Sequence, residues 1–352
     1  MSTVRKIDLA VILLCLGLVV AIGVSAFRTQ PRTPTEKRLS LLGTLPAHAP
    51  LLATLDLDKL RQSPLGRRLL AAGELPGFGR LDEVCGYDPV LEVRALGLVV
   101  PSATDSDAGD FGIAAIGSIG AQRLSTCAST LIQKRGGTPA LTHIGSFMTI
   151  RDRTRPGGEL AVRSGGPLLI SSSHYLREMI DASDGRAPSA ERDTLHRALR
   201  RAIGEDGTLV SSFIVPEGLL AELGGEASKR SLLGQVKAIA LRLDLEKDVQ
   251  LRAVIGCAVA ESCRELGATL EQLAKTHARP LLERELGVAS AERLRVSVHE
   301  NQVRASLALG EREALALFGR LFERLRLSGA EPLAPEPSTG RPEPDEIVRP
   351  KR

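Results

Sequence analysis

From Leu45 onward, apolar and polar positions repeat with two different periods, and the alternation between them lays out the fold. Ile239, Leu241 and Leu243 alternate with Ala240, Arg242 and Asp244, and Val249, Leu251 and Ala253 alternate with Gln250 and Arg252. A period of two predicts half-buried strands at Val236–Leu245 and Val249–Ile255, joined by a tight turn at Glu246 and Lys247. Leu294, Val296 and Val298 set against Val303, Ala305 and Leu307 predict a second hairpin, turning at Glu300 and Asn301.

Helical spacing marks other stretches. Leu124, Cys127, Ala128, Leu131 and Ile132 predict a helix over Ala121–Lys134, ended by Gly136 and Gly137. Val259, Cys263, Leu266, Leu270 and Leu273 predict one over Val259–Lys275. Leu60, Leu65 and Leu69 place a helix at Asp58–Ala72, and Leu315, Phe318 and Leu321 or Phe322 place one at Glu311–Leu325. Shorter apolar runs predict strands at Leu51–Leu57, Arg94–Val100, Phe111–Ile119, Leu141–Arg151, Glu159–Arg163, Pro167–Ser171 and Thr208–Val215. Helices are expected at His174–Ala182 and over the short run 217–223.

Taken in order, the elements read β-α-β-β-α-β-β-α twice, once over 45–183 and again over 208–328, with room for an extra strand in the first half. The expected fold class is α+β with an internal duplication. Two antiparallel-sheet halves are each covered by helices on one side, the other face left open to solvent, to the second half or to a ligand. Between them, 184–207 is expected to be a solvated basic linker helix, in which Arg192, Arg197, Arg200 and Arg201 interleave with Leu195, Leu199 and Ile203. The alternative reading of that helix is contact with anionic headgroups or an acidic partner.

Ahead of the body lies the run Leu9–Phe27, 19 apolar or small residues in succession. At about 1.5 Å of rise per residue it spans nearly all of a ~30 Å hydrocarbon layer, so 9–27 is expected to be a transmembrane signal anchor. Residues 1–8 form a short basic leader with Arg5 and Lys6, and 28–44 a polar, Pro-bearing tether. Asp8 caps the helix start, and cleavage after Ala26 is the alternative to a retained anchor. The tail 329–352 is rich in Pro and charge and is expected to be disordered. Arg far outnumbers Lys and Asn301 is the only Asn, the bias of a GC-rich genome, so the chain is expected to be a single-pass protein of a bacterial inner membrane, with its body in the periplasm or outside the cell.

Composition narrows the function more by exclusion than by assignment. Aromatic residues make up 3% of the chain with no Trp, which removes the stacking platforms that single-stranded nucleic acid requires. A net charge of +4 on a chain with 25% charged residues is a mixed surface, and no nucleic-acid partner is expected. Hydrophobic residues reach 43%, enough for a real core built of Leu, Val, Ile and Ala.

Four cysteines lie outside the anchor, an even number of the kind an oxidising compartment favours: Cys85, Cys127, Cys257 and Cys263. Cys257 ends a strand and Cys263 opens a helix, close enough to bridge. Closure entropy for that pair is worth roughly 2.4 kcal/mol, and for Cys85 with Cys127 about 4 kcal/mol. The alternative is that Cys127 and Cys263, both on apolar stripes, pack as free thiols. Cys15 reads as a buried residue of the anchor.

The six histidines, His48, His143, His174, His196, His277 and His299, have no metal-ligand spacing, and no metal or cofactor is expected. Ser171 to His174 reads as a helix cap from Ser172 or Ser173 ahead of nucleophilic catalysis. Cys85–Pro89 reads as a turn. No residue set with the spacing of a catalytic motif emerges. The expected function is therefore a binding, scaffold or assembly module of a bacterial envelope, with a protein or lipid-like partner. An envelope hydrolase with a site assembled from distant residues and a carrier of a lipid-like ligand are the alternatives.

Overall fold

The computed structural model describes residues 40–71, 81–102, 110–154, 157–216, 235–286 and 292–316. The expected leader, anchor and tail, most of the tether, the run 217–223 and the end of the last helix lie outside them. No helix among the described residues is long and apolar enough to cross a membrane.

The strands are β1 (Leu51–Asp56), β2 (Val93–Val100), β3 (Gly112–Gly117), β4 (Pro139–Ile144), β5 (Phe147–Asp152), β6 (Glu159–Val162), β7 (Leu168–Ser171), β8 (Leu209–Ile214), β9 (Val236–Asp244), β10 (Val249–Cys257), β11 (Arg295–His299) and β12 (Gln302–Leu309). The helices are α1 (Leu57–Gln62), α2 (Pro64–Ala71), α3 (Leu81–Cys85), α4 (Ala121–Lys134), α5 (Ser173–Ser183), α6 (Thr194–Ile203), α7 (Ala260–Leu273) and α8 (Arg279–Leu286), and 311–316 are also helical. This is the mixed helix and antiparallel-sheet class that the periodicity predicts.

Local chemistry explains where the elements differ from expectation. The helix expected at Asp58–Ala72 breaks into α1 and α2 at Ser63 and Pro64, because a proline has no N–H for the ladder and pushes its predecessor into extended backbone; Ser63 sits at ψ 141°. The single strand expected at Leu141–Arg151 is a hairpin, folded at Gly145, whose φ of 58° suits a residue without a Cβ. Helix α4 keeps its expected bounds. Ser172 stands at the N-cap of α5 but its hydroxyl makes no capping bond and is buried without a partner among the described residues.

All neighbouring strands pair antiparallel, and they form one sheet of twelve in the order β11-β12-β10-β9-β8-β1-β2-β3-β7-β6-β5-β4. The sheets expected of the two halves are thus joined. β1 pairs with β8 from Leu51↔Phe213 to Leu55↔Leu209, and Asp56 N–H bonds Thr208 O at 2.8 Å. A local pattern carries no record of this pairing, because each strand's own alternation is satisfied by any neighbour of matching register.

Helices also cover both faces rather than one. On the front, α1, α2, α4 and 311–316 close a core that runs unbroken across the junction, through Leu55, Leu57, Leu96, Ala115, Leu124, Leu245, Leu309 and Ala314. Cys263 and Leu266 of α7 extend the front layer over Ile255, Val298 and Val303. On the back, α5 buries Tyr175, Leu176, Met179 and Ile180 against Val99, Ala114 and Leu169, with Leu45 beside them. Helix α6 covers β8, β9 and β10 through Leu199 and Ile203 on Val210, Ala240 and Val254.

Gly117 marks a close backbone approach at the end of β3. A Cβ there would lie 1.9 Å from the carbonyl oxygen of Glu92, the same oxygen that accepts from Ser118 N–H at 2.9 Å. Gly117→Ala is expected to destabilise the fold by about 2–3 kcal/mol, since backbone rather than a side-chain tip must yield. A urea midpoint that drops at unchanged slope is the readout.

Candidate functional site

Helix α6 is held by an unusually polar underside. Asp193 caps it, its carboxylate accepting from Leu195 N–H (2.9 Å), His196 N–H (3.1 Å) and, across the chain, His48 N–H (3.1 Å). Burial alone would raise the Asp193 carboxyl; the backbone N–H groups of His196, His48 and Leu195 outweigh it and hold the group below the usual carboxylate range.

His196 is 1% exposed and bridges two strands' worth of chain. Nε2 lies 2.7 Å from Ala49 O and Nδ1 2.7 Å from Ser212 Oγ. A carbonyl can only accept, so Nε2 carries the proton and Nδ1 accepts from the Ser212 hydroxyl. Burial keeps the ring neutral by lowering its pKa, against the opposing pull of Ala49 O and Asp193.

A serine, a histidine and an aspartate thus come together, but not in nucleophilic order. Asp193 binds the backbone of His196 rather than its ring, and Ser212 is fully buried. The set fastens α6 to the sheet.

One turn on, Arg200 is 5% exposed and donates to Thr54 Oγ1 (2.8 Å) and Val210 O (3.3 Å). Its Nε has no partner among the described residues, and burial lowers its pKa, Glu205 opposing. The segment expected to be a solvated linker is therefore a packed element. His196, Leu199, Arg200 and Ile203 form its buried stripe, whereas Leu195, read as apolar-facing, is 60% exposed.

Beside α6 no helix among the described residues covers the back of the sheet. Between its flank, at Ala202 and Ile203, and a floor made by β10, β12 and β11 runs an open groove of about 620 Å³. Arg252 lies opposite Ser306, which lies opposite Arg295, and Arg304 lies opposite both Val254 and Ser297. The three arginines are therefore diagonal neighbours on one face of three adjacent strands. Arg252 and Arg304 donate to the amide oxygens of Gln250 (3.1 Å) and Gln302 (3.2 Å). None of the three forms an ion pair among the described residues, whereas Arg242, directly opposite Arg252 on β9, is held by Asp244 at 2.8 Å. At the outer rim Arg279 pairs with Glu271.

The other sequence candidates are scattered. Cys85 is bonded to Cys127 and Cys257 to Cys263, so Cys127 and Cys263 are not free thiols. His143, His277 and His299 are exposed on β4, in the turn after α7 and on β11. His48 stands exposed beside Asp193 at 3.8 Å. Among the described residues no group of three or more His, Cys, Asp or Glu side chains converges as a metal would require.

The arginine floor was visible in the sequence only as the polar side of two hairpins. Its convergence depends on the strand order.

No family model matches the chain, and no curated protein matches it. Among solved structures, crystal form I of TP0453 aligns over 82% of this chain and 100% of that one, with a TM-score of 0.48 and 10% sequence identity.

Proposed function

We propose that this chain is a membrane-tethered binding module of a bacterial envelope whose ligand is anionic and whose site is the groove beside α6. The observation that carries it is the cluster of Arg252, Arg295 and Arg304, which among the described residues have no carboxylate partner. Like charges on neighbouring strands cost stability, and a fold has no structural reason to gather them. An anion that binds several guanidinium groups at once repays that cost.

Two disulfides support an oxidising, extracytoplasmic compartment. The apolar run 9–27 supports the tether, spanning the membrane once with the body outside. Strand order supports the duplication. Outward from the β1–β8 junction, each half runs a three-strand meander, β1-β2-β3 or β8-β9-β10. A helix follows, and then a return in which the half's last strand, β7 or β12, pairs with the third. On this reading β4 and β5 are the first half's addition.

The test is thermal unfolding of the purified full chain in detergent with and without inorganic polyphosphate. Binding at a hundredfold excess over Kd adds about 2.7 kcal/mol of stability, and the gain is expected to vanish in Arg252→Gln/Arg304→Gln. A gain retained in that variant, or no gain at all, removes the groove as the site. In intact cells, an impermeant maleimide is expected to reach Cys85, the bridged cysteine that is part exposed, only after an impermeant reductant. Labelling only after lysis places the body on the wrong side.

A further inference from the structure

The groove is part of a larger basic face. On the outward side of α6 and just before it, Arg192, Arg197 and Arg201 are exposed and, like the groove's arginines, form no ion pair among the described residues. Six arginines therefore look out from the back of the second half, three from the helix and its approach and three from the sheet floor beside it. The front of the same strands differs: α7 exposes Glu261 and Glu265, and its Arg264 is paired to Glu261 at 2.7 Å.

Two further observations say what this face meets. The first is where the chain enters. Residues 42–48, the end of the tether and the start of the body, lie on the back, side by side with the segment that leads into α6. Ala47 N–H bonds Pro188 O (3.0 Å), Ala190 N–H bonds Leu45 O (2.8 Å), and Pro46 bridges Ser189. The end of the body nearest the expected anchor is thus on the arginine side. Residues 28–39 between them reach at most about 40 Å when extended. The second is Leu195, a large apolar side chain 60% exposed on α6 next to Arg192 and Arg197. A helix that sets leucine among arginines on its outer side suits a headgroup layer, where both are accommodated.

We infer that this face lies on the anionic surface of the bilayer in which the chain is anchored, with lipid phosphates as the groove's ligand. The inference rests on the proposed anchoring and anion-binding role, and it orients the sheet with its back to the membrane and its front to the aqueous side. Tethering makes the contact intramolecular, so modest contributions, roughly fivefold in population per basic residue near the surface, are sufficient together.

The experiment uses the full chain with Cys15→Ala and a single new thiol, Ala198→Cys on the outer side of α6, carrying an environment-sensitive fluorophore. It is reconstituted into vesicles of phosphatidylcholine alone or with phosphatidylglycerol, each containing a spin-labelled lipid as quencher. Quenching is expected to be several-fold greater with phosphatidylglycerol, and to fall to the phosphatidylcholine level at high salt or in Arg197→Gln/Arg201→Gln/Arg252→Gln/Arg304→Gln. The same fluorophore at Ala268→Cys on the front is expected to stay unquenched.

Equal quenching of the Ala198→Cys label in both vesicles overturns the inference, as does quenching of the front label. A label that responds to added polyglutamate but not to phosphatidylglycerol assigns the face to an acidic protein and also overturns it. Flotation is read separately: a chain that floats with neither vesicle removes the anchor itself, whereas one that floats without lipid-dependent quenching removes the membrane-facing side alone.

Discussion

Replacing His196 by alanine is expected to lower the free energy of unfolding by about 3 kcal/mol. The ring is 1% exposed, so its loss leaves a cavity, the Ser212 hydroxyl without its acceptor and Ala49 O without its donor. In a body of this size that is roughly 5 °C in Tm. Leu195→Ala, one residue away and exposed, is the control and is expected to stay within about 0.5 kcal/mol. His196→Gln, which can still donate to Ala49 O, should recover part of the loss. An alanine variant as stable as the parent would mean that Asp193, Leu199, Arg200 and Ile203 hold α6 without the histidine.

The same histidine gives stability a sign in pH. Its pKa is lowered in the folded chain, so below the unfolded value of about 6.5 the unfolded chain binds a proton that the native one refuses. Stability is expected to be full above that value and to fall as pH drops through it. Asp193, also lowered on folding, adds a second loss below about 3.9. In His196→Gln the decline between about pH 6.5 and 5 should flatten while the acid limb from Asp193 remains, which separates the two groups.

Helix α6 differs from α4 in what a hydrophobic pattern counts as apolar. The stripe Leu124, Cys127, Leu131 declares itself by residue type, and helix α4 follows it. The buried stripe of α6, His196–Leu199–Arg200–Ile203, has the same i, i+3, i+4, i+7 spacing, but two of its four members are ionisable and so read as surface. The usable signal was spacing without regard to polarity, together with Asp193 at a cap position.

Pairing of distant strands is a different matter. The hairpins β9–β10 and β11–β12 were legible because their registers are set by short connections, whereas β1–β8 and β10–β12 join residues far apart in sequence. The arginine face needs the second of these pairings, since Arg252 and Arg304 become neighbours only when β10 lies against β12. A site built on sheet order is therefore invisible until the order is known.

Reduction of the Cys85–Cys127 bond is expected to cost about 4 kcal/mol, and of Cys257–Cys263 about 2, because the first closes a loop with a sequence separation of 42 and the second one of 6. Local packing sharpens the contrast. Helix α3, which ends at Cys85, buries none of its residues, so it gains little from core packing, and the bond to α4 is joined by Arg123 of α4 stacking 3.9 Å from the Tyr87 ring centre. Cys257 and Cys263 are instead buried at 8% and 0% exposure among Leu266 and Val303, and as thiols they remain good packing groups.

Cys85→Ser/Cys127→Ser should accordingly lower the urea midpoint by the larger amount and open 81–92 to proteolysis, while Cys257→Ala/Cys263→Ala shifts the midpoint less and leaves the cleavage pattern unchanged. Equal shifts from the two pairs, or an 81–92 segment as protected without its bond as with it, would show that contacts of the native body, rather than loop closure, set the order of importance.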